Sequence, residues 1–172
     1  KFIEESFCGN PEPENNWKLH YLIIKDEQKN PILATFFTEL INKDDMISPA
    51  AVSEQIEEIR KTDPNYLISK VIMLGSLLSE GNHLFLDKNH KNWENAVLEM
   101  IHIMSDVKEK SGATAIYLRD IDTSDTVLSD FLIAEGFFLQ DLGGTQFAAS
   151  MNHGHLGGEF SQMEGVLNGG VA

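Results

Sequence analysis

The chain has 172 residues, of which 42% are hydrophobic and 23% charged, as in an ordinary globular protein. This length suits one domain with a buried core and is short for two. Asp and Glu number 27 against 13 Lys and Arg, a net charge of −14. That charge argues against nucleic acid or a membrane surface as the main partner, because both require positive contacts.

A few features of the sequence bear on the cellular compartment and on the ends of the chain. Cys8, the one cysteine, has no internal partner for a disulfide, which fits a reducing compartment. The sequence shows no signal-peptide pattern and no apolar run of the about 18 residues that a membrane span needs. We therefore predict a cytoplasmic location. The chain opens with Lys1 rather than Met, which predicts a piece of a longer protein.

The first elements of the chain are a linker and a hairpin. Residues 1–16 are rich in Gly, Pro, Asn and Glu, which predicts an N-terminal linker. Two strand-like runs, 19–24 and 32–40, flank a polar break at 26–30 and predict a β-hairpin.

A helix and two strands are expected next. Val52, Ile56 and Ile59 recur at helical spacing, and Pro64 ends that pattern. The apolar stretch from Tyr66 to Leu78 predicts a buried strand, and 83–86 predicts a short strand after a turn.

The following segment predicts the longest helix. Apolar residues from Trp93 to Val107 keep helical spacing, Lys108 and Lys110 suit its last turn, and Gly112 is a C-cap. A strand at 113–118, a second helix ended by Gly136, and a strand at 137–139 complete the order. This ββ-α-ββ-α-β-α-β order predicts an α/β or α+β domain with helices packed on a sheet, spanning residues 17–142.

The last 30 residues differ from the rest of the chain in composition. They hold eight of the 13 glycines, and their apolar residues show no regular period. Residues 143–172 are therefore predicted to form a glycine-rich C-terminal tail, with 150–172 poorly ordered or bound to a neighbouring surface.

Several groups of residues could take part in metal binding or catalysis, but each has a simpler interpretation. His153 and His155 could converge on a metal, yet two histidines in a flexible tail fall short of a ligand set, so no metal is predicted. Ser76 near His83 suggests a hydrolase, but no G-x-S-x-G elbow is present. The acidic clusters at 44–45 and 120–125 lie at loop and cap positions, where Asp is common.

One loop opposes the overall charge of the chain. It precedes the long helix and consists of Lys88, Asn89, His90, Lys91 and Asn92. A helix N-terminus favours an anion, and two lysines would add to that, which makes this loop a candidate phosphate-binding site. A solvated turn is the alternative interpretation.

Four segments carry a resemblance to a known family. The run 131–137, FLIAEGF, resembles the end of the last core helix in the GNAT acyltransferase fold. The runs 34–38, 43–46 and 73–81 look like bacterial GNAT/FemAB-like proteins, a group described as peptidoglycan-biosynthesis-like. Some of those proteins are fused to a PLP-dependent synthase of the 8-amino-7-oxononanoate type. The resemblance covers roughly residues 17–142.

The resemblance implies a fold and a cofactor. The fold is a mixed, mostly antiparallel sheet with flanking helices and a V-shaped opening between two central strands, which receives a pantetheine arm. The implied cofactor is acyl-CoA or CoA. By position, Lys88 to Asn92 match the loop that binds the pyrophosphate of CoA.

Two functions follow from the resemblance. The first is an acyltransferase that moves an acyl group from an acyl-CoA-type thioester to a small-molecule amine, with Glu80, His83 and Asp120 as candidate general bases. The second is a non-catalytic GNAT-like domain of a larger protein, favoured because no glycine-rich loop and no helix tyrosine are present. We expect a homo-oligomer, or a missing N-terminal or synthase domain, as partner.

Overall fold

The computed structural model describes residues 2–45, 48–141 and 145–151, with side chains described as far as Leu139. The helices are α1 (Phe2–Phe7), α2 (Ala50–Arg60), α3 (Trp93–Ser111) and α4 (Thr126–Ala134), and a 3-10 turn spans Pro13–Asn15. The strands are β1 (Lys18–Lys25), β2 (Pro31–Lys43), β3 (Ile68–Leu74), β4 (Leu84–Leu86), β5 (Ala115–Asp122), β6 (Phe138–Asp141) and β7 (Thr145–Met151).

The strands form one mixed sheet. Their order is β1-β2-β3-β5-β7-β6, and β4 also pairs with β2. Strands β3 and β5 are the parallel pair, and the other described pairings are antiparallel. The predicted fold class, a mixed and mostly antiparallel sheet with flanking helices, is confirmed.

The two central strands part along their length. Strand β3 pairs with β2 up to Phe37↔Leu74, and β4 continues beside the same strand from Thr35↔Leu84. Strand β5 pairs with β3 through three residues, the last pair being Met73↔Tyr117. Beyond that pair, no ladder joins β5 to β4 in the described part of the chain, and residues of both strands line one cleft. The sheet therefore opens at the carboxyl ends of its parallel strands.

Alternate residues of the strands face two apolar clusters, because strand side chains alternate between the faces of a sheet. The larger cluster joins the sheet to α3 and α4; its members include Leu33, Phe37, Ile72, Leu74, Val97, Met100, Met104, Leu118, Leu128 and Leu132. The smaller cluster lies on the opposite face and includes Trp17, Leu40, Val71, Met73 and Ala115.

The long helix agrees with its prediction. Helix α3 spans Trp93–Ser111, and Val97, Met100 and Met104 on its inner face are fully buried. Gly112 follows it with φ +73°, the left-handed conformation that a glycine C-cap supplies. None of the helices in the described part of the chain is long and apolar enough to cross a bilayer.

The N-terminal segment contains structure that the sequence analysis missed. Residues 1–16 were expected to be a linker, but Phe2–Phe7 forms helix α1. The ring of Phe7 stacks on Trp17 with centroids 4.0 Å apart, and Ile3 packs on the same cluster. The sequence did not predict this helix because a helix of one and a half turns has little stability of its own and is held by contacts with the sheet.

The third strand is shorter than predicted. The apolar stretch from Tyr66 to Leu78 forms a strand only over Ile68–Leu74. Positive φ angles stand at both ends, +50° at Leu67 and +73° at Gly75. These left-handed residues turn the chain out of the extended conformation, so hydrophobicity alone overestimated the strand.

The last strand, β7, was also missed. It falls inside the segment assigned to the glycine-rich tail and pairs with both β5 and β6. Its sequence, TQFAASM, has mostly small or polar residues, so it lacks an obvious strand pattern. The remaining tail, with His153 and His155, lies outside the described residues, and its role stays a prediction.

Candidate functional site

A cleft of about 530 Å³ occupies the opening between the central strands. One wall is β4 with the loop after it, contributing Leu84, Phe85, Leu86 and Lys88. The other wall is the end of β5 and the start of α4, contributing Asp120, Asp122, Asp125, Val127 and Leu128. The volume falls within the range of about 300–1,000 Å³ typical of small-molecule sites.

A histidine and an aspartate meet beside this cleft. Nε2 of His83, just before β4, lies 3.6 Å from Oδ2 of Asp120 on β5. Their side chains are only 10% and 16% exposed. Both atoms are buried and have no hydrogen-bond partner among the described residues. Buried polar atoms nearly always have a hydrogen-bond partner, so two neighbouring side chains whose buried polar atoms lack one mark a candidate functional site.

The imidazole of His83 is held from several sides. Its Cδ2 lies 2.4 Å from where a Cβ on Gly75 would be, so only glycine leaves room for the ring. The ring of Phe36 contacts it edge-on, with centroids 5.5 Å apart. The hydroxyl of Thr35 donates to the carbonyl of His83 at 2.8 Å. These contacts fix the ring at the start of β4.

Asp120 has an unusual backbone conformation. Its φ is +56°, and the register of the β5–β7 ladder shifts between Leu118 and Ile121 around it. A non-glycine residue rarely adopts such an angle, although Asp tolerates it better than most. Residues held in sparse backbone regions cluster at functional sites, and this one directs its carboxylate towards His83.

Hydrogen bonds fix the segment that connects β3 to β4 and leads to His83. Arg119 Nη1 donates to the carbonyl of Ser76 at 2.7 Å, bridging β5 and the end of β3. The hydroxyl of Thr38 donates to the carbonyl of Gly75 at 2.6 Å. Ser79 Oγ accepts a hydrogen bond from the backbone N–H of Ser76 at 2.8 Å. His83 is thus anchored at the far end of an ordered turn.

The free edge of β4 offers a backbone donor to the cleft. The N–H of Asp87 donates to the carbonyl of Ile32 in β2. Because successive N–H groups of a strand point to opposite edges, the N–H of Leu86 points towards β5 and the cleft. Asn82 Oδ1 accepts from the next N–H on that edge, of Leu84, at 2.9 Å.

The three predicted candidate bases differ in their position relative to the cleft. His83 and Asp120 come together, whereas Glu80 is exposed on the connecting turn and does not line the cleft. Two residues of the site were not predicted from the sequence: Gly75, which leaves room for the His83 ring, and Leu86, whose backbone N–H faces the cleft. A glycine inside an apolar strand-like run was a usable signal for the first, because such a glycine often marks a close approach, and no side-chain signal exists for the second.

The basic loop is engaged with its own surroundings. Lys88 lines the cleft, and its Nζ lies 2.6 Å from Oδ2 of Asp125. Asn89, His90, Lys91 and Asn92 are absent from the residues that line it. The described part of the chain also contains no group of three or more His, Cys, Asp or Glu side chains placed to hold a metal ion.

Comparisons with known proteins give one weak likeness. No family model matches the chain, and no curated protein matches it. A crystal structure described as an acetyltransferase of the GNAT family from Listeria monocytogenes 4b F2365 is similar over 70% of this chain, with 14% identity and a TM-score of 0.37. The match spans 64% of that chain. A likeness at this level assigns no residue roles, so the function rests on the site itself.

Proposed function

We propose that the chain transfers an acyl group from a thioester donor to a small-molecule amine. The observation that carries this proposal is the His83–Asp120 pair beside the cleft between β4 and β5. Both side chains are largely buried, and Nε2 of the histidine and Oδ2 of the aspartate have no hydrogen-bond partner in the described part of the chain. The cleft would hold the donor so that its carbonyl reaches the apex of the opening, next to the pair.

The chemistry assigns a task to each group. The amine nitrogen forms a bond with the carbonyl carbon, and the C–S bond breaks. The proton leaving the amine goes to Asp120 on the cleft side, with His83 behind it as the second acceptor. The departing thiolate takes up the proton from Asp120 and leaves as a thiol, which restores the carboxylate. The N–H of Leu86 stabilises the negative charge that develops on the carbonyl oxygen.

The test uses the intact chain and measures thiol release from acyl thioesters with a panel of primary amines. We expect His83→Gln and Asp120→Asn to reduce kcat by about 10²- to 10⁴-fold, the usual contribution of a positioned acid–base group. Asp106→Asn, on the exposed face of α3, is the control and should leave kcat unchanged.

The alternative is a non-catalytic domain of a larger protein. It predicts that thioesters raise the unfolding temperature of the chain, as any ligand of the folded state does, without amine-dependent thiol release. Binding without turnover, or turnover that survives both substitutions, would overturn the proposed mechanism.

A further inference from the structure

Two backbone N–H groups at the start of α3 donate to the loop that precedes the helix. The N–H of Asn92 donates to Nδ1 of His90 at 3.2 Å, and the N–H of Trp93 donates to the carbonyl of the same histidine. The other ring nitrogen of His90 faces Asp26, 3.9 Å away. These backbone donors are the groups that an anion would use at a helix start. The loop therefore satisfies them without a phosphate.

The N-terminus of α4 is closed by a carboxylate. Oδ1 of Asp125 accepts from the N–H of Leu128 at 3.1 Å, and Oδ2 accepts from Lys88. Asp122 accepts from both the N–H and the hydroxyl of Ser124, at 2.8 and 2.7 Å. The side-chain and backbone hydrogen bonds from Ser124, with the nearby charge of Lys88, hold the pKa of Asp122 below its ordinary value.

The charged groups around the cleft are therefore mostly negative. Three carboxylates, those of Asp120, Asp122 and Asp125, stand against the single ammonium of Lys88 among the lining residues. That ammonium is already paired. A nucleotide diphosphate placed here would meet like charges, which destabilise binding. An uncharged arm would meet no such penalty.

The apolar part of the wall suits an uncharged chain. Phe85 and Val127, on opposite sides of the cleft, are 53% and 58% exposed, so each has apolar surface left to cover. Leu84 and Leu86 add aliphatic surface on the β4 side. An aliphatic amide arm that ends in a thioester can pack on this surface and reach the apex.

We propose that this cleft recognises its donor by a pantetheine-type arm and takes thioesters that lack the nucleotide phosphates. This inference rests on the proposed acyl transfer and names its donor class. It departs from the CoA-binding role that the resemblance implies for Lys88 to Asn92, because the residues present do not fit a diphosphate.

The experiment compares S-acetyl-pantetheine with acetyl-CoA as donors for the same amine, at low and at high salt. We expect kcat/KM for the pantetheine thioester to be at least that for acetyl-CoA. Salt should raise kcat/KM for acetyl-CoA, because it screens the repulsion between the phosphates and the carboxylates of the cleft. It should leave kcat/KM for S-acetyl-pantetheine unchanged. In the double variant Asp122→Asn, Asp125→Asn, which keeps the helix cap as an amide, the ratio of acetyl-CoA to pantetheine rates should rise.

The outcomes separate this inference from the proposed function. A tenfold or greater preference for acetyl-CoA that weakens with salt would overturn the donor class and leave acyl transfer standing. If neither donor supports transfer, the proposed function fails and this inference with it. Calorimetric titration of pantetheine and CoA adds a readout without turnover, in which pantetheine should bind at least as tightly.

Discussion

The imidazole of His83 rests against the Cα of Gly75, in space that a Cβ would fill at 2.4 Å. The backbone of Gly75 is left-handed, with φ +73°, at the point where β3 ends. The position of the histidine therefore depends on the residue directly after β3. This contact couples the end of β3 to the geometry of the His83–Asp120 pair.

We expect Gly75→Ala to reduce the free energy of unfolding by about 2–4 kcal/mol. About 1–2 kcal/mol of this is the cost of an L-residue in the left-handed region, and the rest is the displacement of the ring. Gly81→Ala is the matched control, because Gly81 has φ +91° but nothing within 4 Å of its added Cβ. Urea unfolding measures both losses, and NMR reports whether the His83 ring signals move. Equal losses, with His83 signals unchanged, would show that the ring contact does not matter.

Part of this architecture could be predicted from the sequence because it is encoded locally. The period of the apolar residues in α3 and the glycine after it are both read within one element. The β1–β2 hairpin likewise follows from two apolar runs around a polar turn, whose Asp26 accepts from the N–H of Asn30. Such elements carry their own start and stop signals.

The site could be predicted only in part, because its key contacts join distant parts of the chain. His83 and Asp120 were candidate bases, but their proximity arises from β4 and β5 lying on opposite sides of the opening. Lys88 of the basic loop looked available for a phosphate, yet Asp125 at the start of α4 pairs with it. Charge patterns along a sequence do not reveal which charges neutralise each other in space.

The pairing of Lys88 with Asp125 leads to a second prediction. We expect Lys88→Met to lower the free energy of unfolding by less than about 1 kcal/mol, because the lysine is 42% exposed and its ion pair is screened. Asp125→Ala should cost about 1–2 kcal/mol, because it also removes the N-cap of α4. Asp125→Asn keeps a capping oxygen and is the control. Thermal unfolding in low and high salt checks the order; a larger loss for Lys88→Met than for Asp125→Ala would contradict it.

The attachment of α2 depends on a buried ion pair. Nη2 of Arg60, at the end of α2, lies 2.6 Å from Oδ1 of Asp45, and both side chains are 6% exposed. The guanidinium also donates to the carbonyls of Tyr66 and Leu67, each at 2.9 Å. Burial favours the neutral form of Asp45, but the hydrogen bonds from Arg60 and Ser53 and the charge of Arg60 outweigh it and lower its pKa from 3.8.

We expect Asp45→Asn to reduce the free energy of unfolding by about 3 kcal/mol at neutral pH, since it leaves the buried guanidinium of Arg60 with only the half-exposed carboxylate of Glu57 as counter-charge. Because the carboxyl pKa is lower in the folded chain, the stabilising effect is fully present above the unfolded value of about 3.9. It is lost as the pH falls through the folded pKa. Glu58→Gln is the control, because its ion pair with Lys61 is exposed and should contribute little. Urea unfolding measured from neutral to acidic pH tests this. The difference in free energy of unfolding between wild type and Asp45→Asn should disappear only at acidic pH. The free energy of unfolding of Glu58→Gln should stay close to that of wild type at every pH. A gap that stays constant down to the acid limit would mean that Asp45 stabilises the fold through hydrogen-bond geometry rather than through its charge.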